Sequence, residues 1–243
     1  MGARAPWLAR RGFGTSLLHV MEALGGVHER VRVSHAAEFA LADIVAPVAV
    51  GLAMVGPPGL ACVAGLPDET FMHEGQITKR PIRALTLSAL APRPQEVLWD
   101  IGAGSGSIAV EWCLAGGRAI AVEVRADRAA MVRANASALG VSHLLDVVEG
   151  EAPAVLSGLP APDAVFIGGG ANTLLLEQLW STLAASTRLV ANSVTLETDA
   201  LLTLWHGQKG GELLRIELAS AAPLGAMRGW RPSRPIMQWS VTR

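Results

Sequence analysis

From Gln95 to the C-terminus, short apolar runs alternate with stretches whose apolar residues recur at helical spacing. The runs "EVLWDI", "RAIAVEV", "LLDVVEG", "PDAVFIGG" and "TRLVANSV" predict five buried strands. "SIAVEWCLA", "ADRAAMVRANASALG" and "NTLLLEQLWSTLAA" predict helices between them, and "ETDALLTLWHGQ" predicts another after the fifth strand. Gly116-Gly117 stops the first helix; Asp127 lies near the start of the second and Gly140 just past its end. "GELLRIELAS" and "RPIMQWSVT" predict two closing strands, seven in all. Strands alternating with helices imply right-handed βαβ units, so the fold class is α/β: a mostly parallel sheet with helices on both faces. No helical period separates the last two strands, and an antiparallel strand is expected at the edge.

Upstream, "TKRPIRALTLSALA" predicts a helix capped by Thr78, with Pro81 in the first turn where its missing N–H costs little. Earlier residues lose this rhythm. "TSLLHVMEALGG" predicts an amphipathic helix with Leu17, Leu18, Met21 and Leu24 on one face. A charged stretch follows, then the apolar run Ile44 to Leu66. Pro47 and Pro57-Pro58 break that run well short of the ~20 residues that a membrane-spanning helix needs. A domain boundary is expected between Pro57 and Pro67, dividing the chain into residues 1–60 and 61–243.

Composition narrows the function classes. With 51% hydrophobic and 17% charged residues, the chain can fill a sizeable core. A net charge of -1 gives no basic footprint for a nucleic acid. Two cysteines in apolar context, Cys62 and Cys113, fit a reducing, cytoplasmic setting better than a disulfide framework. The N-terminus carries Arg4, Arg10 and Arg11 without the apolar stretch of a secretory signal, and no membrane association is expected. The six histidines show no metal-ligand spacing, and neither a nucleophile elbow nor a P-loop is present.

The chemistry concentrates in "VLWDIGAGSGSIAVEW". A glycine-rich turn between strand and helix lets a ligand touch the backbone and presents a helix N-terminus to its polar groups. Gly102, Gly104 and Gly106 are spaced G-x-G-x-G, and Ser107 holds the place the dinucleotide fingerprint reserves for its third glycine. Glu123 ends the next strand, where an acid accepts hydrogen bonds from both ribose hydroxyls. "EGEAP", Glu149 to Pro153, follows the third strand, where side chains and backbone amides reach an adenine. Asp100 either caps the following helix and organises the turn or takes a water-mediated contact to an ammonium group.

"DIGAGSG", "AVEV" and "GEAP" resemble the S-adenosylmethionine-dependent class I methyltransferases, whose fold is a Rossmann-like seven-stranded sheet. "GLPDETFMHEGQITKRPIRALTLSAL", "FIGGG", "ANSVTLET" and "GWRP…PIMQW" resemble, more narrowly, the decarboxylating precorrin-6Y methyltransferases of cobalamin biosynthesis. The likeness runs from about Gly65 to the C-terminus. It implies methylation of carbon 15 of a precorrin, with loss of carbon dioxide from the ring C acetate. By the same resemblance Thr78, Gly102, Ala103, Gly104, Ser105, Gly106, Glu123, Glu151 and Ala152 contact S-adenosylmethionine, together with Asp100.

A polyanionic substrate needs cations. Lys79, Arg80, Arg83, Arg228 and Arg231 are candidates to hold its carboxylates, and His73 is a candidate proton donor. Pro81 stands where relatives tend to carry an acid, so no role resting on that acid transfers. "GFGTSLLHVMEALGGVHERVR" resembles the last part of a tetrapyrrole methylase domain, which makes residues 1–60 an expected remnant of one. The truncation puts carbon 5 methylation by this chain in doubt. A homotetramer is implied by the resemblance alone. The competing readings are a methyltransferase for another small molecule and a non-catalytic remnant.

Overall fold

The computed structural model describes residues 4–243, which divide into two units: one ends at Leu60, the other runs from Ala61 to Arg243. In the first, a short helix α1 (Arg4–Leu8) precedes an antiparallel sheet of β1 (Leu17–Glu22), β2 (Arg30–His35) and β3 (Val48–Ala53), in the order β2-β1-β3. The helix expected over "TSLLHVMEALGG" is therefore a strand. Leu17, Leu18 and Met21 satisfy a helical period, but Leu18, Val20 and Glu22 also satisfy a period of two, and these three are the buried ones. Glu22 faces inward because its carboxylate meets Arg30 and Arg32 on the neighbouring strand and accepts the Val45 N–H at 2.8 Å. These partners, Arg30 first, hold its pKa down at about 2.

The second unit begins with a strap, residues 65–79, that has no regular structure beyond a turn at Asp68–Thr70. Helix α2 (Arg80–Leu90) follows, with Pro81 in its first turn. Its N-cap is Lys79 rather than Thr78 and makes no side-chain cap bond. Asp68 serves instead, accepting the Arg80 N–H at 2.9 Å.

The βα rhythm then runs as the pattern predicts: β4 (Val97–Ile101), α3 (Ser107–Leu114), β5 (Arg118–Glu123), α4 (Ala126–Ala138), β6 (Leu145–Glu149), β7 (Ala164–Ile167), α5 (Thr173–Thr182), β8 (Arg188–Ser193), α6 (Leu196–Lys209) and β9 (Glu212–Ile216). A hairpin of β10 (Ala219–Leu224) and β11 (Met227–Pro232) comes next, and β12 (Ile236–Thr242) ends the chain. Sequence patterning gives no sign of the hairpin. Pro223, Gly225, Gly229 and Pro232 interrupt it, and its large side chains Leu224, Met227 and Trp230 lie in solvent instead of marking a core face.

The main sheet has seven strands in the order β6-β5-β4-β7-β8-β12-β9. Pairings from β6 through β8 are parallel. β12 runs antiparallel to both β8 and β9, so antiparallel pairing is confined to that edge. Alternate strand residues feed two cores. Leu98, Ala119, Ala121 and Phe166 face α2, α3 and α4; Trp99, Ile120, Val122 and Ile167 face α5 and α6. Trp239 on β12 is fully buried in the second core, which makes the late strand integral to it; truncation to alanine costs about 3–5 kcal/mol.

The chain proceeds outward from β4 to β5 and β6, then returns to lay β7 on β4's other side. Between β4 and β7 lies the topological switch point, where doubly wound sheets open a crevice at their carboxyl ends. The glycine turn leaves β4 there.

Candidate functional site

The glycine turn is built by backbone. Gly102 and Ala103 donate their N–H groups to the Val122 carbonyl at the end of β5, at 2.9 and 3.2 Å. Gly102 has φ 72°, and a Cβ on it would stand 2.9 Å from the Gly169 carbonyl oxygen. The turns after β4 and β7 thus touch backbone to backbone across the switch point, an approach only glycine permits. Gly104, at φ 58°, differs: a Cβ there would meet nothing within 4 Å. Space is open beside it, next to the switch point.

Glu123 lines that space. It is 4% exposed, and its two carboxylate oxygens accept the N–H groups of Gly104 at 2.9 Å and Arg125 at 3.0 Å. A carboxylate has about four acceptor positions, so two remain for hydroxyl donors. The Glu123 carbonyl accepts the Gly150 N–H at 3.0 Å, which draws the turn after β6 alongside. In that turn Glu151 is exposed, and Ala152 is half-buried against the α5–α6 core.

Asp100 is 1% exposed. One of its oxygens accepts the Ala109 N–H in the first turn of α3 at 3.1 Å, which makes it a helix cap. Its other oxygen, Oδ1, is buried without a partner. Burial pushes the carboxyl up to about 7; the Ala109 N–H opposes that shift, and the charge of Glu123 adds to it. Ser105 is buried and Ala103 half-buried within the turn.

The strap carries the remaining candidates. Thr78 is half-buried, and its carbonyl accepts from the Arg83 guanidinium. His73 Nδ1 accepts the Gly75 N–H at 3.0 Å, which leaves Nε2 to carry the ring proton. Lys79 is exposed and stands 3.7 Å from Asp68. Arg228 and Arg231 lie on the exposed strand β11.

Arg83 requires a correction, because its guanidinium is not available to a substrate. It is fully buried and all three of its nitrogens are engaged: Nε on Glu111 at 2.6 Å, one terminal nitrogen on Asp68 at 3.2 Å and on the Thr78 carbonyl, the other on the Leu66 carbonyl. Phe71 covers its face, with the ring centroid 4.8 Å away. Glu111 also accepts the N–H groups of Gly65 and Leu66, at 2.6 and 3.0 Å. Arg83 is a structural cross-link between the strap, α2 and α3.

Glu111 and Asn135 escape the sequence reading. Each is a polar residue at a buried position of an otherwise ordinary helix, and that mismatch is the one signal that could have drawn attention to them.

Residues 69–243 match the family model described as "Precorrin methyltransferase domain". The chain belongs to this family. It is 51% identical over 246 residues to a precorrin-6Y C(5,15)-methyltransferase [decarboxylating] of Sinorhizobium sp, covering 98% of this chain and 59% of that protein. The chain thus spans about three-fifths of the length of that curated relative. It is 35% identical over 144 residues to a Saccharolobus solfataricus protein named a probable cobalt-precorrin-6B C(15)-methyltransferase (decarboxylating), covering 56% of this chain and 72% of the other. Among solved structures, the C-terminal domain of precorrin-6Y C5,15-methyltransferase from Rhodobacter capsulatus superposes with a TM-score of 0.74 at 58% identity, over 76% of this chain and all of that one.

The sheet is the class I methyltransferase fold, and a methyltransferase of this fold draws its methyl group from S-adenosylmethionine. The residues fit that donor. Gly104 offers backbone with open space before it, Glu123 has free acceptor positions for ribose hydroxyls, and Asp100 Oδ1 is a buried acceptor still wanting a donor. Among the described residues no group of three or more histidine, cysteine or acidic side chains could hold a metal, and no helix is long and apolar enough to cross a membrane.

Proposed function

We propose that residues 61–243 methylate carbon 15 of a precorrin and remove carbon dioxide from its ring C acetate, in cobalamin biosynthesis. The observation that carries this reading is the likeness to a relative named for carbon 15 alone, which this chain matches over 72% of that relative's length. S-adenosylmethionine supplies a methyl group activated on a sulfonium. Glu123 holds its ribose, the Gly104 backbone lies along its methionine part, and the turn carrying Glu151 and Ala152 lies at its adenine. Thr78 closes the site from the strap. Positioning the acceptor carbon in line does most of the work of such a transfer.

When the acetate leaves as carbon dioxide, its bonding electron pair passes into the conjugated macrocycle and a proton completes the new methyl group. His73, with Nε2–H free, is the assigned proton donor. Lys79, Arg80, Arg228 and Arg231 are the assigned partners of the remaining carboxylates, and their exposure supports this part of the reading. Residues 1–60 are assigned as the C-terminal part of a tetrapyrrole methylase domain; the alignment to the Sinorhizobium relative over 98% of this chain supports that. The assembly is assigned as a homotetramer and the location as cytoplasmic, in keeping with the free cysteines Cys62 and Cys113.

The test is incubation with a precorrin and labelled S-adenosylmethionine, followed by mass spectrometry. The expected product carries one more methyl and one carbon dioxide less. Tight donor binding with neither change would transfer the assignment to another small-molecule acceptor.

A further inference from the structure

The strap, residues 65–79, carries Thr78 and His73 yet has almost no backbone pairing of its own. Side chains from α2, α3 and α4 hold it, Arg83 of α2 at both ends. Glu111 takes its first two N–H groups, and Arg128 on α4 meets Gln76. At its midpoint stands Asn135 of α4, 2% exposed.

The Asn135 amide does two things at once. Its Oδ1 accepts the Met72 N–H at 2.7 Å and its Nδ2 donates to the Met72 carbonyl at 2.9 Å, so it pairs with that residue as a neighbouring strand would. The same Nδ2 donates to the Ser105 carbonyl at 2.8 Å. Ser105 sits between Gly104 and Gly106 in the glycine turn. One turn back along α4, Val132 packs so closely on Gly106 that a Cβ there would lie 2.6 Å from it. Two residues of α4 thus seat the turn, and one of them also grips the strap.

We propose that Asn135 is a positioning residue: it sets the distance between the strap and the glycine turn, and so the width of the slot into which the methyl donor fits. Without it, three backbone groups from two loops lose their partners, and among the described residues no other hydrogen bond links the strap to the glycine turn. This rests on the reading above that the slot takes S-adenosylmethionine.

The experiment compares wild type, Asn135→Ala, Asn135→Asp and the remote Arg188→Ala, which breaks a cross-link to Glu96 and to the Leu90 carbonyl at the C-terminal end of α2. Calorimetry reads S-adenosylmethionine affinity, hydrogen exchange reads the amides of residues 72–78, and thermal melting reads stability. Asn135→Ala is expected to weaken binding about tenfold or more and to speed exchange at Met72 by a similar factor. Asn135→Asp keeps the acceptor for the Met72 N–H but sets a buried carboxylate oxygen against the Met72 and Ser105 carbonyls, and is expected to lose at least as much affinity as Asn135→Ala. Arg188→Ala is expected to lower the melting temperature while holding affinity within about twofold. Unchanged affinity in folded Asn135→Ala, or an equal loss in Arg188→Ala at the same drop in melting temperature, overturns the proposal. Should Asn135→Ala fail to fold, wild-type affinity and exchange in Asn135→Asp overturn it equally. Absence of binding in the wild type would sink the donor reading instead, and exchange at Met72 would then decide the clamp alone.

Discussion

Gly104 donates its backbone N–H to the Glu123 carboxylate at 2.9 Å, so the acid that faces the open slot also holds the turn forming the slot's floor. Loop shape and ligand contact are therefore not separable at Glu123. Replacement by alanine removes the anchor for two N–H groups as well as the proposed ribose acceptor. S-adenosylmethionine binding should weaken by about 1–3 kcal/mol in Glu123→Ala. Titration calorimetry on the folded variant checks this, and wild-type affinity would refute the assignment.

The glycines of the turn should fail in different ways. Gly102→Ala drives a Cβ to 2.9 Å from the Gly169 carbonyl oxygen and should lower stability by about 1–3 kcal/mol. At Gly104 an added Cβ meets nothing within 4 Å. The cost of Gly104→Val to the fold is the strain of a branched residue at positive φ, of order 1–3 kcal/mol, but the side chain fills the slot. Donor binding and methyl transfer should fall steeply. On the proposed reaction, single-turnover mass spectrometry of Gly104→Val should also show no decarboxylated product, because a methyl group added at carbon 15 would alter the conjugation beside ring C. A decarboxylated but unmethylated product would break that coupling.

Asp100 gives the fold a pH dependence opposite to that of an ordinary carboxylate. Its pKa moves from 3.8 to about 7, with burial the main cause. Between those values the folded chain keeps a proton that the unfolded chain has released, so stability falls as pH rises from about 4 through about 7. Asp100→Asn keeps the acceptor for the Ala109 N–H without the buried charge. The variant should be more stable at pH 8 by up to about 4 kcal/mol, at about 1.4 kcal/mol per unit, and its stability should vary less between pH 4 and 8. Urea titrations across that range decide it, and a variant as pH-dependent as the wild type would place the effect elsewhere.

Arg83 and Lys79 lie four residues apart and should answer differently to removal. Arg83→Ala strands the buried Glu111 carboxylate and should cost about 3–5 kcal/mol. The pair Arg83→Met with Glu111→Leu should recover part of that loss, since it removes the stranded Glu111 charge, but not all of it, because the Gly65 and Leu66 N–H groups lose their acceptor. Lys79→Ala removes an exposed contact at 3.7 Å and should leave stability within about 0.5 kcal/mol. Denaturation midpoints for the three variants provide the comparison.

The sheet was legible because β4, β5, β7 and β8 are buried on both faces, and such strands read as unbroken apolar runs between glycines. Glu123 and the glycine turn were legible for a related reason, since strand ends can be counted once the strands are known. Arg83 was misleading. In sequence a cation beside Lys79 and Arg80 suggests surface, and nothing local reveals a carboxylate partner 28 residues away. Asn135 lay further out of reach, because its partner Met72 is 63 residues distant and is a backbone group, which leaves no side-chain complementarity to detect. At β1, two periodicities coexisted in one segment, and the choice between them was made by arginines on the next strand.

Both ends of the strap return to one side chain, since the Arg83 guanidinium binds the Leu66 and Thr78 carbonyls together. It acts as a clasp, and Asn135 pins the near half at Met72. Between pin and clasp the chain is held only by exposed contacts, Arg128 on Gln76 and the Gly75 N–H on His73, and an added Cβ at Gly75 would touch nothing. Insertions there leave the clasp and the pin where they are, and doubling a loop adds only about 0.6 kcal/mol of closure cost. On the proposed reading, the strap can therefore be lengthened here for acceptors of other sizes without rebuilding the residues assigned to the donor.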